Sequence, residues 1–348
     1  MKKAIAFLMA MMMTVSMAAC GTSEKESSSA STSDAAVEDT ADEADDDASE
    51  EAASGEVYEI GICQLVQHEA LDAATLGFKE ALVDLLGEEN VVFDEQNASG
   101  DSATCSTIVN QFVSNEVDLI LANATPALQA AAAGTNEIPI LGTSITDYAT
   151  ALEIDDWTGV TGTNISGTSD LAPLEEQANM LNELFPDAQT VGILYCNAEP
   201  NSVYQNDVIT EALTGMGYTC KTYTFADSND VASVATNAAA ECDVIYIPTD
   251  NTAASNTEVI NNVCLPAGTP IVAGEEGICK GCGVATLSIS YYDIGYKAGE
   301  MAYDILVNGA DVSTMEVATA ANVTKKYVES RCTELGVTVP EGYEAIAE

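Results

Sequence analysis

The 348 residues carry 56 Asp and Glu against 10 Lys and Arg, a formal net charge of −46. Such a balance excludes nucleic acid as a partner, because phosphates are neutralised by Lys and Arg; it favours solubility and repulsion from anionic surfaces. A hydrophobic content of 47% is ample for packed cores, and the length exceeds what one core usually supports, so two domains are expected.

Lys2 and Lys3 precede an apolar stretch, Ala4 to Met17, too short to span a membrane comfortably. Met17-Ala18-Ala19-Cys20 resembles a lipoprotein cleavage site, with Met where Leu is usual. The resemblance implies cleavage before Cys20 and a lipid on its thiol, so residues 1–20 read as a signal peptide; plain secretion with Cys20 a bystander is the alternative. Residues 21–56 are low-complexity Ser, Ala, Asp and Glu. They cannot bury enough apolar surface to offset chain entropy, and the acidic run repels itself, so a disordered tether is expected.

From Val57 the pattern alternates short apolar runs with helical periods. Strands are expected at 57–63, 91–96, 117–122 and 138–143, with helices at 71–86, 101–115 and from Pro126 onward. A polar turn covers Ser144 to Tyr148, and 160–164 reads as a crossover. The second half is expected to hold strands at 190–195, 219–224, 243–247, 270–273 and 285–290. Its helices fall at 170–185, 203–216, 228–240 and 253–264, with polar turns at 248–252 and 274–277. A helix follows at 291–307, then a strand at 315–319 and a terminal helix around 327–335.

The halves repeat one another. Gly61 and Gly192 stand at equivalent places, and the same interval separates Pro139 from Pro270. The expected fold is therefore α/β: two similar doubly wound parallel-sheet lobes joined by a multi-strand hinge. The first lobe takes 57–163 plus about 290–312, the second 164–289 plus about 313–348. In such sheets, ligands bind at the carboxyl ends of the strands, and a closing hinge lets two lobes trap a solute.

Of the ten Cys, most sit singly inside expected strands or helices, as small core hydrophobes do. Cys279-Lys-Gly-Cys282 could be a local disulfide, a redox pair or half a metal site. With one His in the chain and no second Cys pair a zinc site is disfavoured, leaving a structural or incidental role. No nucleophile elbow, phosphate loop or HExxH motif is present, so neither an enzyme nor a cofactor is expected.

Several stretches resemble one family. They are Ile60-Gly-Ile-Cys-Gln-Leu-Val-Gln-His-Glu-Ala-Leu-Asp72, Gly77-Phe78, Asn164 with Ser169-Asp170, Tyr195 with Glu199-Pro-Asn-Ser202, and Tyr291-Tyr-Asp-Ile-Gly-Tyr-Lys-Ala-Gly299. Together they look like the ABC-transporter substrate-binding proteins of the tryptophan/tyrosine-uptake type, within the type I periplasmic-binding-protein fold, over about residues 57–335. The resemblance implies capture of a small solute, an amino acid, and its delivery to a membrane permease. It also implies a monomer anchored by lipid on the extracellular face of the cell membrane.

The residues constrain the ligand independently. None of the few Lys and Arg falls in an expected cleft turn except Lys280, so no bidentate Arg clamp on a carboxylate is available. Helix starts and hydroxyls would have to hold that group, and Asn123, Thr125, Asn201 and Ser202 are placed for it. Asp250 and Glu276, each following a strand of the second half, are the candidates to pair an ammonium. Gln64, His68, Thr143, Ser144 and Asn251 complete the expected ligand-facing set. Each has a plainer reading as a helix cap or a solvated surface group. Tyr291 and Tyr292 could stack on an aromatic ligand or pack at the hinge, and Trp157 reads as hinge packing. A nucleoside or sugar, or a signalling partner in place of a permease, are the alternatives.

Overall fold

The structure is a computed structural model, and it describes Gly55 and residues 57–347. The expected signal peptide, Cys20 and almost all of the expected acidic tether lie outside the described residues. The first half runs β1 (Tyr58–Gln64), α1 (Glu69–Leu86), β2 (Val91–Asn97), α2 (Ser102–Asn115), β3 (Leu119–Asn123), α3 (Thr125–Gly134), β4 (Ile140–Ile145), α4 (Tyr148–Leu152) and β5 (Ile165–Ser169). The second half runs α5 (Leu174–Leu184), β6 (Thr190–Cys196), α6 (Pro200–Gly215), β7 (Thr219–Phe225), α7 (Val231–Glu241), β8 (Val244–Ile247), α8 (Asn251–Ala254), α9 (Thr257–Ala267), β9 (Ile271–Ala273), α10 (Glu276–Cys282) and β10 (Ala285–Ser288). The chain closes with α11 (Tyr291–Leu306), β11 (Ala318–Thr319), β12 (Thr324–Tyr327), α12 (Glu329–Leu335) and β13 (Glu344–Ala345).

Two sheets result, ordered β11-β5-β4-β3-β1-β2 and β13-β12-β10-β9-β8-β6-β7. The central order is the same in both, and every strand pair is parallel except β10 with β12. β1 and β6, the strands holding Gly61 and Gly192, occupy matching places. Their near-continuous apolar runs follow from burial on both faces. Each sheet is covered by a core on either side, for example Phe112, Ile120 and Leu128 on one face of the first and Ile60, Phe78 and Leu121 on the other.

The sequence expectation placed the change of lobe near residue 164, but Ile165–Ser169 pairs with β4, in the first sheet. Ala318–Thr319, expected in the second lobe, also joins the first sheet beside β5. The chain thus passes between sheets at 170–173, 289–290 and 320–323. Asp170, expected to open a helix, lies in the first of these passages, and α5 begins only at Leu174. The expected helix at 253–264 is divided into α8 and α9. Residues 276–282, read partly as a turn, form the short helix α10 that buries Cys279 and Cys282. Both are free thiols.

α11 returns to the first lobe and lies against α1 at close range. A Cβ at Gly295 would come 2.0 Å from the Ala74 carbonyl oxygen, and one at Gly77 would come 2.2 Å from that of Tyr292. These glycines, part of the motifs that carry the family resemblance, let two helix backbones approach.

Candidate functional site

The loops after β1, β6, β8 and β9 leave the carboxyl ends of their strands and meet between the sheets. A cavity of about 10 Å³ lies there, lined from the first lobe by His68, Leu71 and Tyr291, from the passage between sheets by Asp170, and from the second lobe by Asp250, Asn251 and Glu275. Farther out a cavity of about 400 Å³ opens between Leu65, Val66, Asp101 and Pro126 on one side and Cys196, Ala198, Glu199 and Asp227 on the other, a lining more polar than apolar. Asn251 lines both.

Asp250 is 1% exposed. Its Oδ1 accepts the Ala253 N–H at 2.7 Å, capping α8. Oδ2 accepts the Cys196 N–H and the Ser202 hydroxyl, each at 2.7 Å. Burial, helped by the charge of Glu199, pushes its carboxyl up to about 8. Glu199 ties the turn after β6 to α8. It accepts the Asn251 N–H at 3.0 Å and side-chain amide at 2.8 Å, and the Thr252 N–H at 2.9 Å and hydroxyl at 2.7 Å. Asn201 donates to the Thr249 carbonyl at 3.1 Å. Asn201, Ser202 and Asp250 therefore bind one another's loops, and what they do first is hold the second lobe together.

Glu276 is turned outward, 2.6 Å from Lys326 Nζ, and does not line the cavity; its neighbour Glu275 does. Glu275 is 2% exposed, accepts the N–H groups of Gly277 and Ile278 at the start of α10, and is pushed up to about 7 by burial. The residue that lines the cavity is thus one position before the one expected. In a loop entering a helix, the cap and the next residue point in different directions.

On the first lobe Gln64 accepts the Thr75 hydroxyl at 2.6 Å and donates to Asp72 at 2.7 Å. Asn123 donates to the Leu71 carbonyl and to Thr75, both at 2.9 Å. These two lock the start of α1 to β1 and β3. Thr143 accepts the Thr168 hydroxyl at 3.1 Å. Thr125 is buried at the start of α3, and Ser144 sits at φ 57° where β4 bulges against β5. The Asn123 Oδ1, Ser144 Oγ, Asp170 Oδ1 and Asn201 Oδ1 atoms are all buried without a hydrogen-bond partner. Such atoms are rare in folded proteins, and these four stand at strand ends or in the loops just beyond them.

His68 Nε2 meets Asn251 Oδ1 at 3.2 Å, joining the lobes. Oδ1 can only accept, and the Asn251 amide nitrogen is committed to Glu199, so His68 carries its proton on Nε2. Burial lowers its pKa, against the pull of Asn251, Glu199 and Asp72. Tyr291 packs at the passage between sheets, its phenol 2.8 Å from Asp170 Oδ2. Tyr292 faces outward to Glu80 at 2.6 Å. Trp157 stacks on Tyr148, centroids 6.2 Å apart, away from the residues lining either cavity. Among the described residues no group of three or more His, Cys, Asp or Glu is arranged to hold a metal ion, and no helix is long and apolar enough to cross a membrane.

Two parallel-sheet lobes with side chains from both converging between strand ends define a type I periplasmic-binding-protein architecture. The chain belongs to the ABC transporter substrate binding protein family, matching it over residues 59–348. It is 36% identical over 262 residues, 75% of either chain, to the tyrosine-binding protein of Clostridioides difficile (strain R20291). Among solved structures it is similar to a domain from Streptococcus pneumonia in complex with L-Trp. There the TM-score is 0.79 and identity 29%, over 83% of this chain and 100% of that one. It is also similar to a ligand-free, open substrate-binding protein with adhesive properties from Clostridium difficile, with TM-score 0.64 and 36% identity, over 83% of this chain and 99% of that one. The better superposition goes to the tryptophan-bound structure although its sequence is less similar.

Proposed function

We propose that this chain captures an amino acid, aromatic or otherwise apolar, between its two lobes and hands it to an ABC permease. The observation that carries the reading is the pair of cavities between the strand ends: a small one walled by buried carboxylates, and a larger one of mixed lining, where Leu65, Val66 and Pro126 face Cys196, Ala198 and Ala226 amid polar groups such as Asp101, Glu199 and Asp227. An amino acid has charged groups to offer the first and a side chain to offer the second. Closure removes competing water and strengthens the polar contacts. The α-carboxylate would be received by backbone N–H groups and hydroxyls of the loops beyond the strand ends, since no Lys or Arg lines either cavity. The ring would lie between Leu65, Val66 and Pro126 and the Ala198 side. The relatives that bind tyrosine and tryptophan support this ligand class.

The chain acts without catalysis in this reading. It works as a monomer outside the cytoplasm, held to the membrane by lipid on Cys20. Thermal-shift screening of the purified protein against amino acids, nucleosides and sugars tests the ligand class. A specific ligand at about 100 times its dissociation constant adds roughly 2.7 kcal/mol of stability. A response to sugars or nucleosides and to no amino acid would reject it.

A further inference from the structure

The geometry points to Asp170 as the residue that receives the ligand's α-ammonium group, with Tyr291 as its positioning partner. The inference rests on the amino-acid reading above and deepens it.

Three buried carboxylates line the inner cavity: Asp170, Asp250 and Glu275. Both oxygens of Asp250 are taken, by Ala253, Cys196 and Ser202. Both oxygens of Glu275 are taken by the first N–H groups of α10. Glu199, the remaining buried acid nearby, is saturated by Asn251 and Thr252. Asp170 alone keeps an open oxygen. It is 3% exposed, Oδ2 accepts the Tyr291 phenol, and Oδ1 makes no hydrogen bond of good geometry, with the Thr146 hydroxyl close to the carboxylate.

Among the described residues no Lys or Arg lines the inner cavity to balance this charge. Lys280, the one cation among the residues lining the cavities on this side of the cleft, is paired with Glu69. A buried carboxylate without a counter-charge carries a desolvation cost, and burial accordingly raises the Asp170 pKa, opposed by the Tyr291 and Thr146 hydroxyls. A primary ammonium supplies the missing charge and fills Oδ1 with a charge-assisted hydrogen bond. Asp170 lies in the passage from β5 to α5, and Tyr291 begins α11 just after the passage from β10. The contact therefore ties the ammonium to two of the crossings about which the lobes turn. Ligand and hinge then share one carboxylate, so occupancy favours closure directly.

The test measures affinity of the wild type and of Asp170→Asn for tyrosine and for its des-amino analogue, hydroxyphenylpropanoate, by calorimetry. The expected result is an about 10- to 100-fold loss for tyrosine in the variant, the usual range for a hydrogen bond to a charged group, with the analogue unaffected. Equal losses for both compounds, or none for either, would overturn the assignment while leaving the amino-acid reading in place. A wild type that binds neither compound nor any other amino acid would remove that reading, and the assignment with it. Should Asp170→Asn not fold, Tyr291→Phe keeps the carboxylate and removes its positioning phenol. Tyrosine affinity must then change selectively, and an equal change in the analogue's affinity would overturn the assignment.

Discussion

Lys280 Nζ, on α10 of the second lobe, lies 2.8 Å from Glu69 Oε1, in the first turn of α1 on the first lobe. The pair spans the cleft beside the His68–Asn251 contact, so both interactions exist only when the lobes are together. Their side chains are 41% and 53% exposed, and solvent screening holds such a pair to about 0.2–1 kcal/mol. A contact present only in the closed state shifts the opening equilibrium by its own energy.

Lys280→Ala is therefore expected to weaken ligand affinity by roughly 1.5- to 5-fold at low salt, mainly through faster dissociation. The difference from wild type should shrink at high salt, where exposed pairs are screened. Stopped-flow binding at two ionic strengths reads both effects, and a salt-independent loss would contradict them.

Asp250→Ala should destabilise the second lobe, whatever it does to ligand contacts. The substitution strands the N–H groups of Cys196 and Ala253 and the Ser202 hydroxyl in a buried site. A loss of about 2–4 kcal/mol in stability is expected, read by chemical denaturation of the unliganded protein. A variant as stable as wild type would show that these bonds contribute little.

Stability should fall as pH rises from about 5 to 8. Asp250 is raised to about 8 and Glu275 to about 7 in the folded protein, whereas unfolded carboxyls titrate near 4. Between those limits the native state holds more protons than the unfolded state, so raising the pH favours unfolding. Their contribution is full below about pH 4 and is lost through the folded pKa values. Asp250→Asn, which stays neutral, should flatten the profile measured by denaturation at stepped pH; an unchanged slope would assign the dependence elsewhere.

Gly295→Ala should destabilise the protein by about 1–3 kcal/mol, because the added Cβ meets the Ala74 carbonyl oxygen at 2.0 Å and forces α11 off α1. Thermal unfolding checks this. A shift comparable to that of Gly215→Ala, where a Cβ meets nothing within 4 Å, would contradict it.

Incorporation of labelled lipid into the protein should be abolished in Cys20→Ala, with export retained. Continued labelling of that variant would overturn the anchor.

The alternation of apolar runs and helical periods made the two parallel sheets legible, because a strand buried on both faces and a half-buried helix leave different periods. Gly61 with Gly192 and Pro139 with Pro270 revealed the duplication for the same reason. The lobe boundary was not legible. Residues 165–169 and 318–319 are short strands whose sheet is chosen by long-range pairing, which no local pattern encodes. At the site, loops singled out in the sequence meet between the sheets, but the sequence did not say which side chain in each is free. Asp250 follows a strand as a ligand residue would, yet it is consumed as a cap. Asp170, hidden in an apparent helix start, keeps its open oxygen only because three-dimensional packing leaves it one.

A crystal structure of the purified protein with tyrosine tests the central claim most directly. The account predicts the amino acid enclosed between the two sheets, its ammonium within hydrogen-bonding distance of Asp170 Oδ1 and its ring toward Leu65 and Pro126. Tyrosine bound outside the cleft, or held there chiefly by Lys or Arg, would contradict it.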